Sequence, residues 1–306
     1  MKTKIVLGVF LLALGCDSSS KDKTTTPAPG TTANWGNGKG DVANDVPEEG
    51  APEAARSFTV DDAGNVYLLD TLNTRIVVFK QGKADTPVPL PEGVYDDLAL
   101  MPDGGFALLD IEKGLVKYVD SSGAARGQTL LDPLGVPAAQ VTALDVSDGV
   151  WTEVDGEYLV KVAGTDGSAA QPEATPATLR LADYHFSLDR ISSQRVSLFR
   201  SPASGGARTE LATVDFGKEA LEWGLFRGPS DDTLRVLARV ASTPGELAES
   251  VVAITLSTDG SEKSRREVPG SESEEECFRW ARSAPNGTLY LMRFTASGVR
   301  VQEVAP

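Results

Sequence analysis

The sequence predicts an all-β fold, a six-bladed β-propeller that follows a disordered N-terminal tether. Three observations predict it. From Arg56 to Pro306, short apolar runs are broken by Gly, Asp and Asn turns, with hardly any stretch of helical periodicity. A strand–turn–strand pattern recurs at a period of 40 residues, and a second series of glycine turns runs in step with it.

The chain begins Met1-Lys2-Thr3-Lys4, followed by an apolar run from Ile5 to Leu14 and then Gly15-Cys16. Two lysines ahead of a short apolar run read as an export signal, too short to cross a hydrocarbon core of ~30 Å as a helix. The junction Leu12-Ala13-Leu14-Gly15-Cys16 resembles a bacterial lipobox, with Ala13 where that motif most often has Leu. The resemblance implies removal of residues 1–15 and acylation of Cys16, so that its sulfur becomes a thioether and cannot pair with Cys277. Several acyl chains on one residue would give lasting anchorage, since each buried methylene contributes about 0.8 kcal/mol. The expected location is the bacterial cell envelope, on the inner or outer membrane, with the domain in the periplasm or at the cell surface.

Residues 16–55 are rich in Ser, Thr, Pro, Gly and acid and offer little to offset the entropy of ordering, so they read as a tether. Its r.m.s. span would be on the order of 35 Å. Trp35 and Val46 are the exceptions, and one of them could mark a stretch docked on the domain. Residues 56–306 are then a single domain with room for a substantial core.

Within that domain Phe58–Asp70 aligns with Leu98–Asp110 as strand, Asp-containing turn with Gly, strand and terminal Asp. Looser copies run from Ala143 to Trp151 and from Ala281 to Met292. The second series comprises Gly82, Ser122-Gly123, Asp166-Gly167, Gly205-Gly206 and Asp259-Gly260. Their spacing is near the ~40–50 residues of a four-stranded blade. Five such turns plus a final hairpin make six blades. Phasing is weakest over residues 177–214, where five or seven blades are the alternatives. The last blade is a strand short, and a segment just before Arg56 is expected to complete it and remove an exposed edge.

The stretch Gly64-Asn65-Val66-Tyr67-Leu68-Leu69-Asp70-Thr71-Leu72-Asn73-Thr74-Arg75-Ile76-Val77-Val78-Phe79 is similar to the NHL repeat. That resemblance implies a propeller of NHL type and no single activity. The residues themselves read as a turn staple: Asp70 accepts from the turn, Asn73 tolerates a left-handed backbone, and Arg75 pairs with Asp70.

The composition narrows function. A formal charge of −15, which loss of Lys2 and Lys4 would take to −17, disfavours binding to a phosphate backbone, so no nucleic-acid partner is expected. One His and two Cys exclude most zinc, haem and iron–sulfur sites. No Ser has a Gly-x-Ser-x-Gly context, and no Gly-rich loop leads into a helix. The inner strands would start near Arg56, Asp96-Asp97, Gln140, Glu222 and Arg279, so a ligand site at the central funnel would use Asp96, Asp97, Glu222 and Arg279. Otherwise these acids are solvated or partner Arg56 and Arg279.

His185, between aromatic residues, reads as half-buried and structural, and Cys277 as a small core residue whose thiol is unreactive. Trp223 and Trp280 read as packing between blades. The leading reading is a non-catalytic binding or scaffold module without a cofactor. It would be monomeric, tethered to a membrane, and take a protein or small ligand. The alternative is a divalent-metal hydrolase of the gluconolactonase or regucalcin type, in which Ca²⁺ or another divalent ion would sit among oxygen ligands in the funnel.

Overall fold

The computed structural model describes residues 30–49, 52–243, 248, 250–273, 275 and 277–305. The export signal, Cys16 and the first part of the expected tether lie outside the described residues.

One five-stranded and then four four-stranded antiparallel units follow one another along the chain, and a sixth, four-stranded, joins the two ends of the described chain. Blade 1 has strands Ser57–Val60, Val66–Asp70, Arg75–Lys80 and Lys83–Ala84, with Val88–Pro89 also pairing the third. Blade 2 has Asp97–Leu100, Phe106–Asp110, Leu115–Val119 and Ala125–Leu130. Blade 3 has Val141–Val146, Val150–Val154, Tyr158–Ala163 and Ala169–Thr175. Blade 4 has Leu179–Leu181, Tyr184–Arg190, Arg195–Pro202 and Thr209–Asp215. Blade 5 has Glu219–Arg227, Thr233–Ala241, Ser250–Ser257 and Glu262–Pro269. Blade 6 has Ala281–Ser283, Leu289–Thr295 and Gly298–Val304, completed by Gly30–Asn34.

Six blades therefore stand, and the weakly phased stretch forms a full blade of its own. The Gly205-Gly206 turn joins the third and fourth strands of blade 4, as Gly123 and Gly167 do in blades 2 and 3. Short Gly turns return each strand antiparallel to its predecessor, so the hydrogen bonding stays local and the chain needs no helix.

The closing strand corrects one expectation. It is Gly30–Asn34, more than twenty residues ahead of Arg56 and inside the stretch read as tether. It pairs antiparallel with the last strand, from Gly30 opposite Gln302 to Asn34 opposite Gly298. Thr31 and Ala33 are its buried residues, and small side chains suffice because the facing strand brings Val299 and Val301. Trp35 then docks by stacking on Phe294 at a centroid distance of 6.4 Å, whereas Val46 stays exposed. Two stretches far apart in sequence thus share one blade, which closes the ring.

Alternate residues of the middle strands point to opposite faces, and those faces pack between blades as five apolar clusters. They bridge blades 6 and 1, 1 and 2, 2 and 3, 4 and 5, and 5 and 6. Between blades 3 and 4 Arg180 reaches across, its guanidinium 4.4 Å from the Trp151 ring centroid and 3.3 Å from Asp148.

Candidate functional site at the mouth of the channel

The first strand of each blade is innermost, and these strands surround the central channel. Two halves of the channel differ. On the side of blades 1, 2, 3 and 6 it is filled by a polar knot centred on Asp97. Asp97 Oδ1 accepts from Arg282 Nη2 and from the Leu98 amide, both at 2.9 Å, and from Ser57 Oγ. Its Oδ2 accepts from the Leu144 amide at 2.8 Å. Arg282 Nη2 also donates to the Leu144 carbonyl at 3.2 Å.

On the side of blades 3 to 6 the channel opens into a cavity of about 570 Å³. The segments around it lead into first strands or join second to third strands, so it opens on that face of the ring. Thr142, Glu153 and Glu157 come from blade 3, Leu188 and Arg190 from blade 4, Leu221 to Phe226 from blade 5, and Phe278 to Ala281 from the entry to blade 6. Two register shifts shape its wall. Thr142 and Leu221 are each an extra residue in an inner strand, skipped in the pairing with the next strand. Such bulges turn a side chain out of the pleat, and Leu221 stands 42% exposed at the cavity edge.

Glu153 is a titratable group that this arrangement alters. Burial raises its carboxyl above the ordinary range, against the opposing pull of Arg279 and the hydrogen bond from Thr142. That bond runs from Thr142 Oγ1 to Glu153 Oε1 at 2.9 Å. Arg279 has no such fixed partner. Its Nε is buried without a hydrogen bond, and its side chain forms no ion pair among the described residues. A guanidinium left unpaired in a cavity wall is an open anion-binding group. Apolar walls surround it: Phe226, Phe278, Trp280 and Trp223, the last held by Arg190 with its guanidinium 4.8 Å from the ring centroid.

Of the four residues expected at the funnel, the structure brings Glu222 and Arg279 to the cavity. Glu222 is exposed there and pairs with Arg239 at 3.3 Å. Asp96 and Asp97 are elsewhere. Asp96 pairs with Arg56 at 2.9 Å and accepts from the Ile111 amide, while Asp97 is fully buried in the knot. Neither lines the cavity, and both carboxylates accept from donors of the chain itself, as structural ties do. Gln140 does not line the cavity either; its carbonyl accepts from the Asp155 amide. Glu153 was missed because one acid in Val150–Val154 looks like any solvated strand position, and only folding sets it beside Arg279.

The remaining candidates have structural settings. Asp70 Oδ2 accepts from Asn73 at 2.9 Å and from Arg75 Nε at 2.8 Å, the staple read from the sequence. The staple also reaches the N-terminal segment, since Ala43 donates to Asp70 and Arg75 Nη2 to the Asp41 carbonyl. His185 is half-buried on blade 4 away from the cavity, its imidazole pushed down by burial and by Arg180. Burial pushes the Cys277 thiol up to about 12, with Glu222 adding to the effect. Trp280 packs between blades 5 and 6 and also borders the cavity.

No protein-family model matches the chain, and no curated protein matches it. Solved structures of similar fold include a DUF4221 family member from Bacteroides vulgatus, 11% identical over 91% of this chain and 97% of that one, with a TM-score of 0.53. Kuenenia stuttgartiensis hydrazine synthase is 12% identical over 78% and 73%, with a TM-score of 0.51. A catalytically inactive virginiamycin B lyase from Staphylococcus aureus with quinupristin is 13% identical over 90% and 87%, with a TM-score of 0.50. At such identities the likeness is one of fold, and these folds serve different functions.

Proposed function

We propose that the chain is a lipid-anchored envelope protein whose propeller holds a small ligand in the channel-mouth cavity without transforming it. One observation carries the reading: the cavity between blades 3 and 6 contains an unpaired Arg279 among aromatic walls. Its volume lies within the range of small-molecule sites, which are mostly apolar with a few placed polar groups. The sequence from Lys2 to Cys16 supports the anchor, and the NHL-like repeat in blade 1 supports a rigid recognition module. The partners are then a membrane, through acylated Cys16, and a ligand in the cavity.

The metal-hydrolase alternative needs Glu222 and Asp97 to share one ion. Their positions do not fit that role, because both oxygens of Asp97 are taken by donors of the chain itself. A second reading, acid–base chemistry at Glu153, has the raised carboxyl in its favour.

The test is native mass spectrometry of the full chain purified from its membrane fraction, beside Leu221→Trp, which fills the cavity. A small molecule carried by the wild type, lost from the variant and released unchanged supports the proposal. Release of a converted molecule, with conversion abolished in Glu153→Gln, replaces binding by catalysis. Cys16→Ser should move the protein to the soluble fraction; retention in the membrane fraction would refute the anchor.

A further inference from the structure

The charges around the cavity are unevenly paired. Arg239 is held by Glu222, and Arg190 donates to the Ala220 carbonyl while covering Trp223. Asp189 is held by Arg208 at 2.6 Å. Of the lining cations only Arg279 has no side-chain hydrogen bond or ion pair among the described residues; it stands between Phe278 and Trp280 in sequence and shares the cavity wall with Trp223. Asp155 and Glu157 stand exposed at the blade 3 rim, with no ion pair among the described residues.

This arrangement selects on charge. A single anionic group that reaches Arg279 gains a charge-assisted, bidentate contact in a partly desolvated place. A dianion such as a phosphate monoester would carry a second charge past Asp155, Glu157 and Glu222, which like-charge repulsion opposes. A cation would be drawn to Asp155 and Glu157 at the rim and repelled by Arg279 deeper in the wall. The remaining wall is apolar and aromatic and suits a ring or a short alkyl chain.

We infer that the cavity takes a small organic monoanion, a carboxylate on an apolar or aromatic body, with Arg279 holding the carboxylate and Trp223 covering the body. This rests on the cavity being a binding site and names the class of its ligand. Glu153 completes the recognition. Burial, with Asp145 and Asp97 adding to it against the pull of Arg279 and Thr142, makes Glu153 keep its proton more readily than a solvated acid, and a protonated carboxyl donates a hydrogen bond to a carboxylate.

The experiment is calorimetric titration of the full chain, freed of any carried ligand, with three probes that share one ring: 3-phenylpropanoate, 2-phenylethyl phosphate and 2-phenylethylamine. The acid is expected to bind at least about tenfold more tightly than either of the others, a difference of about 1.4 kcal/mol. Arg279→Gln is expected to remove that preference; Glu153→Leu, which deletes the donor, should weaken binding of the acid by about threefold or more, and Glu153→Gln, which keeps a neutral donor, should restore it. Equal or tighter binding of the phosphate or the amine overturns the ligand class. A gain of about tenfold in Glu153→Gln would show that Glu153 is charged in the complex and would overturn its role. A ligand carried by the purified protein that is not a carboxylate refutes this inference while leaving the binding reading intact; an empty cavity in every preparation counts against the reading itself.

Discussion

Asp97 on the inner strand of blade 2 and Arg282 on the inner strand of blade 6 form a buried ion pair at 2.9 Å, with side chains 0% and 5% exposed. Blade 1 lies between these two, and its Ser57 joins the same carboxylate, as does the Leu144 amide of blade 3. One side chain thus ties four blades at the axis. Burial pushes the Arg282 guanidinium down from its ordinary value while Asp97 draws it back up, so each charge depends on the other.

Asp97→Ala should therefore destabilise the domain by about 3–5 kcal/mol, because it leaves a buried guanidinium without its counter-ion. The urea midpoint reads this directly. A loss below about 1 kcal/mol would mean that water or a neighbour replaces the carboxylate.

Gly298 begins the last strand at φ +153°, and a Cβ there would lie 1.9 Å from the Ala33 carbonyl oxygen and 2.8 Å from Asn34 Cα. Both obstacles are backbone of the closing strand, so neither can rotate away. Gly298→Ala should cost at least about 2 kcal/mol and loosen Gly30–Asn34 from blade 6. Faster hydrogen exchange at residues 31–33, with residues 98–100 unchanged, is the expected pattern.

At the seam between blades 3 and 4, Arg180 of blade 4 lies against Trp151 and Asp148 of blade 3. Arg180→Ala should cost about 0.5–2 kcal/mol, the range of a cation–π contact at a partly exposed site. Its effect should fall on exchange in blades 3 and 4 and spare the seam between blades 1 and 2.

Two groups give stability a pH dependence. The Glu153 carboxyl is raised on folding, so its protonated form favours the native state; that contribution is fully present below the unfolded value and is lost as pH rises through the folded one. Glu153→Gln should match the wild type in acid and become the more stable protein as pH rises above the ordinary carboxylate range. The Cys277 thiol, raised from 9.0 to about 12, follows the same sign at alkaline pH. Native protein at pH 8 should resist iodoacetamide, with alkylation following global unfolding; prompt labelling of the native state would contradict that burial.

The blades were legible because their signals are local. Asp-Gly and Asn-Gly turns mark hairpins wherever they occur, and apolar runs between them mark strands whatever they pack against. The closing strand was not, since Gly30-Thr31-Thr32-Ala33-Asn34 has the composition of a linker and its partner lies at the far end of the chain. Glu222 and Arg279 were found because inner-strand entries line a channel in any propeller. Asp96 and Asp97 share that position, but the sequence does not show that Arg56 and Arg282 reach them first. Thr142 and Leu221 owe their place to bulges, which a regular alternation of side chains hides.

The most direct test of the central claim is a crystal structure of the full chain with 3-phenylpropanoate. The account predicts the carboxylate on the Arg279 guanidinium within Thr142, Glu153, Trp223 and Phe278, with the Asp97–Arg282 pair undisturbed. A probe bound at the outer strands or on the opposite face, with Arg279 still unpaired, would contradict it.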